Sequence, residues 1–94
     1  MLRESRTGSV REKIHLDLRV KGLNVKGILF EELTQSDDLS EEGISFRLHT
    51  PIWINSHLTI ENLTPGATPA PMSAMVIRIK TEALDSQLVA ARFD

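Results

Sequence analysis

The chain has 94 residues, a formal net charge of −2 at pH 7, 40% hydrophobic residues, 4% aromatic residues and no cysteine. This length allows a single domain with one modest, mainly aliphatic core, and the lack of cysteine excludes disulfides, thiolate nucleophiles and cysteine-based metal sites. The net charge argues against a binder of nucleic-acid polymers and against a polybasic membrane anchor. The sequence shows no membrane-spanning segment and no signal peptide, so we expect a cytoplasmic protein that does not insert into a membrane.

The N-terminal residues 1–12 form the first predicted segment. They carry arginines and glutamates around small residues and show almost no hydrophobic periodicity, which predicts a flexible, locally basic arm. The remaining residues, 13–94, are expected to form the folded domain. Its first strand is predicted from strict alternation, with the inward positions Ile14, Leu16, Leu18 and Val20. A turn is predicted at residues 22–24.

The middle of the chain predicts two strands joined by a loop. Residues 27–36 resume a looser alternation and predict the second strand. Residues 37–43 are rich in turn formers and predict a loop, in which Gly43 is expected to take a positive φ. Residues 44–49 alternate again and predict the third strand, which ends before Pro51 because proline cannot donate to a sheet ladder.

The C-terminal half predicts three more strands. Residues 57–61 form a short fourth strand, and a proline-rich loop follows. Residues 72–81 form a long fifth strand, with Met75, Ile77 and Ile79 expected on one face. A turn at residues 82–86 leads into the last strand.

Six short strands without a helical stripe predict an all-β fold. The expected architecture is a single small six-stranded antiparallel barrel with little or no helix. Closure of the barrel removes the exposed sheet edges that promote aggregation.

Catalytic and metal-binding patterns are weak. The three histidines, His15, His49 and His57, are scattered without the close spacing of local metal ligands. Glu31 and Glu32 are adjacent in a strand and face opposite sides, which is unsuitable for an acid–base pair. We therefore expect no enzymatic activity, no metal site and no cofactor. Trp53 is expected to pack in the core or at its rim rather than to serve as a stacking platform.

The segment Asp38-Leu-Ser-Glu-Glu-Gly43 between strands two and three, with arginines ahead of strand one, resembles the PilZ domain family. The resemblance extends to the end of the chain, where residues 89–93 are similar to the last barrel strand of that family. It implies a PilZ-like six-stranded antiparallel barrel at residues 13–94. In many members it also implies binding of the bacterial second messenger cyclic di-GMP.

The resemblance implies that Arg6, Arg11, Asp38, Ser40 and Gly43 bind the ligand. Arginine pairs bidentately with phosphate or with a guanine edge, and a carboxylate accepts hydrogen bonds from guanine donors. The serine hydroxyl offers one more hydrogen bond, and glycine lets the ligand approach the backbone. An arm that carries arginines is expected to become ordered when the ligand docks.

The chain departs from the family pattern in three respects. The family has three residues between its two arginines, whereas four separate Arg6 from Arg11, so that Thr7 stands at the first arginine position. Many members continue into a C-terminal helix beyond the last strand, and this sequence stops at Asp94. The acidic stretch at residues 31–42 shows no compensating base and would repel an anionic ligand unless several carboxylates point away.

Alternative interpretations therefore stay open. In the first alternative the chain is a divergent PilZ-like adaptor that binds no nucleotide and acts through a protein partner, such as one of a signalling, motility or surface pathway. A weaker alternative is a small barrel for single-stranded nucleic acid, but too few aromatic residues and an acidic pI argue against it. Asp38, Ser40 and Gly43 would also suit an ordinary turn, and the arginines would suit a solvated tail.

Overall fold

The computed structural model describes residues 14–68 and 70–94 of the chain. Within these residues it contains six strands and no helix, and all neighbouring strands pair antiparallel in a closed barrel of order β1-β2-β3-β6-β5-β4. The strands are β1 (Asp17–Leu23), β2 (Leu29–Leu39), β3 (Gly43–Leu48), β4 (His57–Asn62), β5 (Met72–Ala83) and β6 (Ser86–Phe93). The predicted all-β class and six-stranded antiparallel barrel are confirmed.

The barrel interior is filled by aliphatic side chains around a single phenylalanine, Phe46, which is fully buried. Alternation on β1, β3 and β4 directs apolar residues inward, as the sequence pattern predicts. The buried core consists of Leu18, Val20, Ile44, Phe46, Leu48, Ile52, Leu58, Ile60, Ala74, Val76, Val89 and Ala91. Each large apolar side chain that is buried here contributes about 1.5–3 kcal/mol relative to an exposed one.

The predicted turn at residues 22–24 is wrong, because β1 continues through Gly22 to Leu23. Glycine is needed inside this strand, since a Cβ at Gly22 would lie 2.8 Å from the Leu58 side chain of β4. The turn lies at residues 24–28 instead. There the Asn24 Oδ1 accepts hydrogen bonds from the backbone N–H groups of Lys26 and Ile28, at 2.8 and 3.0 Å.

The predicted loop at residues 37–43 is shorter than expected, because β2 runs through Asp37 and Asp38 to Leu39. Ser36 pairs with Phe46 and Asp38 pairs with Ser45, so Asp37 is the extra residue of a β-bulge. A bulge of one residue reverses which face the following side chains occupy. The turn formers therefore extend a bent strand, and only residues 40–42 connect it to β3.

The prediction that Met75, Ile77 and Ile79 share one face of β5 is wrong. Ala74 and Val76 are the fully buried residues, whereas Ile77 is 42% exposed. Val76 pairs with Ala91 and Arg78 pairs with Ala90, which makes Ile77 the extra residue of a second bulge. Beyond this bulge the alternation is shifted by one residue and Ile79 packs against the core. The predicted turn at residues 82–86 shortens to residues 84 and 85, since Ala83 pairs with Ser86.

Candidate functional site

The side chain of Asp38 lies on the outer face of the barrel. Ile44 and Phe46 on β3 point into the core, so the intervening Ser45 points outward. The Ser45 hydroxyl donates a 2.7 Å hydrogen bond to the Asp38 Oδ1, and its oxygen accepts a 3.3 Å hydrogen bond from the Asp38 backbone N–H. Without the bulge at Asp37, the alternation of β2 would direct Asp38 inward. The bulge therefore places this carboxylate where a ligand can reach it.

Ser40 and Gly43 close the short connection between β2 and β3. The Ser40 Oγ accepts hydrogen bonds of 3.3 Å from the backbone N–H groups of Glu42 and Gly43. The Ser40 backbone N–H donates to the Gly43 carbonyl oxygen at 2.9 Å. Within residues 14–68 and 70–94 the Ser40 hydroxyl donates no hydrogen bond, so its proton is available to solvent or to a ligand.

Gly43 does not have the positive φ expected for it. Its φ lies outside the left-handed region, where the structure places Gly27 and Gly66. A Cβ at Gly43 would lie 2.4 Å from the backbone carbonyl oxygen of Ala91 on β6. Glycine is required here because two strands approach closely, not because the chain reverses direction.

A groove on the outer face connects Asp38 with two cationic side chains. It has a volume of about 580 Å³ and is lined by Asp37, Asp38, Ser45, Arg78, Ile79, Lys80, Leu88 and Ala90; we call it the Asp38 groove. Cross-strand pairing aligns Asp38, Ser45, Ala90 and Arg78 in one row over β2, β3, β6 and β5. The small residues Ser45 and Ala90 form its floor, while acidic residues stand on one side and Arg78 and Lys80 on the other.

Arg78 reaches this groove because of the second bulge. Alternation from the buried Ala74 and Val76 would direct residue 78 inward, and the extra residue Ile77 turns it outward instead.

Sequence reasoning missed Arg78, Lys80 and Ser45. Periodicity alone does not reveal them, because the two bulges change the face of the strand without a glycine or proline to mark the position.

Ser40 and Gly43 line a different and smaller cavity of about 60 Å³, which they share with Ile77 and Arg92. The structure therefore brings Asp38, Ser40 and Gly43 to one strand connection but does not direct all three at one groove. Asp38 faces the larger groove, and the connection that follows it faces the smaller cavity.

The acidic stretch at residues 31–42 has compensating bases that the linear sequence concealed. Arg19 on β1 forms ion pairs with Glu31, at 3.1 Å, and with Glu61, at 3.0 Å. Arg47 on β3 pairs with Asp37 at 3.4 Å. Neighbouring strands supply both arginines, which are distant in sequence. The repulsion expected from an uncompensated acidic stretch is thus partly neutralised.

Glu32 serves a structural purpose in this stretch. Its carboxylate accepts hydrogen bonds from the backbone N–H groups of His49 and Thr50, at 2.8 and 3.0 Å, and from the Thr50 hydroxyl at 2.7 Å. Partial burial acts to raise the pKa of Glu32, but these hydrogen bonds together outweigh it and hold the pKa below its ordinary value. Glu32 therefore anchors the loop after β3 in its ionised form.

The chain enters the barrel along β2, where Ile14 and Leu16 contact Ser36. The Ser36 hydroxyl accepts a 2.8 Å hydrogen bond from the Leu16 backbone N–H and donates to the Ile14 carbonyl oxygen. The Ser36 backbone N–H in turn donates to the Leu16 carbonyl oxygen at 2.9 Å. Arg6 and Arg11, with the rest of the predicted arm, lie outside the described residues.

Two kinds of feature were not found among the described residues: a cluster of metal ligands and a membrane-spanning helix. Among residues 14–68 and 70–94 no group of three or more potential metal ligands comes together. The same residues include no helix of the length and apolarity needed to cross a bilayer.

Comparison with known proteins yields a likeness of fold. No family model and no curated protein matches the chain. Among solved structures, the chain is similar to the Bacillus subtilis inhibitor of motility MotI/DgrA, with a TM-score of 0.70 and 18% sequence identity. The alignment covers 97% of this chain and 44% of MotI/DgrA, so the chain spans less than half the length of that protein. The likeness shows that the chain shares the fold of that part of MotI/DgrA.

Proposed function

We propose that the chain is a PilZ-like sensor module that binds cyclic di-GMP in the Asp38 groove. The observation that carries this proposal is the position of Asp38, which Ser45 holds on the outer face, in one row with Arg78. As a sensor, the module is expected to bind its ligand without chemical change and to act in the bacterial cytoplasm.

The groove suits the chemistry of this ligand. Cyclic di-GMP carries two guanines and two phosphodiester charges. A carboxylate such as Asp38 accepts hydrogen bonds from guanine N–H groups, while Arg78 pairs with phosphate or with the guanine O6 and N7 edge. Lys80 adds a point charge for the second phosphate. The volume of about 580 Å³ lies in the range of small-molecule sites.

The connection of the N-terminal arm, residues 1–12, to the barrel supports its participation in ligand binding. Ile14 and Leu16 are fastened to Ser36, two positions before Asp38. Arg11 is three residues from Ile14 and is therefore tethered within about 11 Å of it, given at most about 3.6 Å per residue. In the proposed complex Arg11, and Arg6 with it, close over the ligand.

The proposal is tested by isothermal titration calorimetry with cyclic di-GMP. Arg11→Ala, Asp38→Ala and Arg78→Ala are each expected to weaken binding about tenfold or more, the effect of losing one charge-assisted interaction. Lys80→Ala is expected to weaken binding less, and the matched control Lys26→Ala, at the far end of the barrel, should leave it unchanged. Thermal unfolding checks that each variant is folded. Wild-type protein that shows neither heat nor amide shifts at millimolar nucleotide would contradict the proposal.

The second candidate function is that of an adaptor that binds no nucleotide and contacts a protein of a signalling, motility or surface pathway. Two observations favour it: the extra residue between Arg6 and Arg11, and the fold shared with MotI/DgrA, which is described as an inhibitor of motility. Binding of cyclic di-GMP by the wild-type chain in the calorimetric titration would argue against this candidate.

A further inference from the structure

Large apolar side chains are exposed at the end of the barrel opposite the β2–β3 connection. They belong to the β1–β2 turn region and the loop between β3 and β4, and they are Leu23 (51% exposed), Ile28 (58%), Leu29 (79%), Trp53 (64%) and Ile54 (52%). We call this surface the apolar end. Leu23 pairs with Leu29 across the two strands, and Leu23 and Trp53 line one cavity, so the surface is contiguous. Contiguous exposed apolar patches of this kind mark interaction sites.

Backbone hydrogen bonds hold the two halves of the apolar end together. The Val25 backbone N–H in the β1–β2 turn donates to the Pro51 carbonyl oxygen at 3.0 Å. The Asn24 side chain closes the same turn from within. The two loops therefore present their side chains as one unit.

The Trp53 segment is also fixed in place. The Ser56 Oγ accepts a 3.2 Å hydrogen bond from the Trp53 backbone N–H, and the Asn55 backbone N–H donates to the Val76 carbonyl oxygen at 2.8 Å. Asn55 has a φ of 76°, in the left-handed region that asparagine adopts more readily than most residues. This hydrogen-bonded turn holds Trp53 and Ile54 in solvent, so a partner would bind with little loss of conformational freedom.

A cavity opens at the centre of the apolar end. It has a volume of about 420 Å³ and is lined by Leu23, Asn24, Val25, Gly27, Trp53, Ser56 and His57. This space is large enough to receive an apolar side chain from another molecule. At its edge, Lys26 is exposed and forms no ion pair with any residue in the described part of the chain.

We propose that the apolar end docks an amphipathic segment of a partner protein. Apolar side chains of that segment enter the cavity beside Trp53, and its carboxylates lie against Lys26. The exposed Lys26 favours a segment that carries carboxylates over one that carries cations. The inference does not depend on nucleotide binding.

Trp53 gives a direct test, because it is the single tryptophan of the chain. The probe is a synthetic helical peptide with leucines on one face and glutamates along its border. We expect a saturable blue shift of tryptophan emission, with amide shifts at residues 23–29 and 53–57. Leu29→Ser and Lys26→Glu should each weaken binding about fivefold. The control is Leu33→Ser, on the same strand and 67% exposed, which should bind like wild type.

Four results would overturn the proposal. The first is an unchanged emission at millimolar peptide, and the second is equal binding of a peptide with lysines in place of the glutamates. The third is a blue shift that depends on the protein concentration and not on the peptide, together with a dimer in sedimentation. This result would assign the surface to self-association. The fourth is a blue shift with vesicles of phosphatidylglycerol and phosphatidylcholine, which would assign it to lipid.

Discussion

The Asp38 carboxylate and the Ser45 hydroxyl are joined across the β2–β3 pair by a hydrogen bond of 2.7 Å. The same hydroxyl oxygen accepts a 3.3 Å hydrogen bond from the Asp38 backbone N–H. Ser45 is only 5% exposed, although it points away from the core. One buried hydroxyl thus satisfies both the backbone and the side chain of Asp38 directly after the bulge, and the carboxylate is oriented before any ligand arrives.

Replacement of Ser45 by alanine tests how much the hydrogen bonds between Ser45 and Asp38 contribute to stability and to ligand binding. We expect Ser45→Ala to lower the free energy of unfolding by about 1–3 kcal/mol, because a buried hydroxyl and its two hydrogen bonds are lost. Cyclic di-GMP binding should weaken several-fold as Asp38 loses its orientation. Urea unfolding and calorimetry measure the two effects. Ser73→Ala, at an exposed serine on β5, is the control, and a Ser45→Ala protein as stable as this control would contradict the assignment.

Replacement of Thr7 by arginine tests whether the spacing of the arginines in the arm limits the affinity for nucleotide. Thr7→Arg restores the spacing of three residues before Arg11. If the arm limits affinity, the added guanidinium should tighten cyclic di-GMP binding about tenfold, as expected for one charge-assisted contact. The matched control is Ser5→Arg, which adds the same charge at a different spacing. Equal gains in both variants would show that charge, rather than spacing, is responsible.

The carboxylate of Glu32 should make stability depend on pH. Its pKa is lower in the folded protein than the ordinary value of 4.5, so the unfolded chain takes up a proton first as the pH falls. The stabilisation is therefore complete well above pH 4.5 and is lost as the pH drops toward the folded-state value. We expect Glu32→Gln to lower the free energy of unfolding by about 1–3 kcal/mol at neutral pH.

Urea unfolding at a series of pH values checks this expectation for Glu32. The difference between wild type and Glu32→Gln should shrink below pH 4.5. Glu41→Gln, at an exposed residue of the β2–β3 connection, is the control and should show little difference at any pH. A difference for Glu32→Gln that persists unchanged in acid would mean that ionisation of this side chain is not what stabilises the loop.

Substitution of Gly43 tests why a glycine stands at the end of the motif. Gly43→Ala places a Cβ 2.4 Å from the Ala91 carbonyl oxygen, so β3 and β6 must separate. We expect a loss of about 1–3 kcal/mol in the free energy of unfolding, as for overpacked sites, with amide shifts that spread along β6.

The control for Gly43 is Gly27→Ala, at a glycine with φ of 76° and open space around its Cβ position. Its cost comes from the backbone conformation, and its amide shifts should stay within residues 24–28. Shifts confined to residues 40–43 in Gly43→Ala would show that the close approach to β6 is not the constraint.

Among the residues that line the Asp38 groove, sequence patterns singled out Asp38 alone. Asp38, Ser40 and Gly43 were predicted from their motif, and the structure brings them to one strand connection. Ser45, Arg78 and Lys80 were missed, because nothing local marks a serine or a cation as the wall of a groove. Their relation to Asp38 depends on the pairing of β2 with β3, of β3 with β6 and of β6 with β5, which aligns Asp38 with Arg78, 40 positions later in the chain.

The sequence by itself determined the class of fold and the aliphatic core, because alternation with a period of two forces one face of each strand inward whatever its neighbours are. The near balance of charge also followed from the sequence, as did the separation of a basic arm from an acidic stretch. Only the tertiary structure decided which charges meet. Arg19 and Arg47 reach the acidic stretch from adjacent strands, and the bulges at Asp37 and Ile77 turn Asp38 and Arg78 outward. A bulge adds one residue and reverses the face of the residues that follow it, and the pairing with the neighbouring strand is what reveals it.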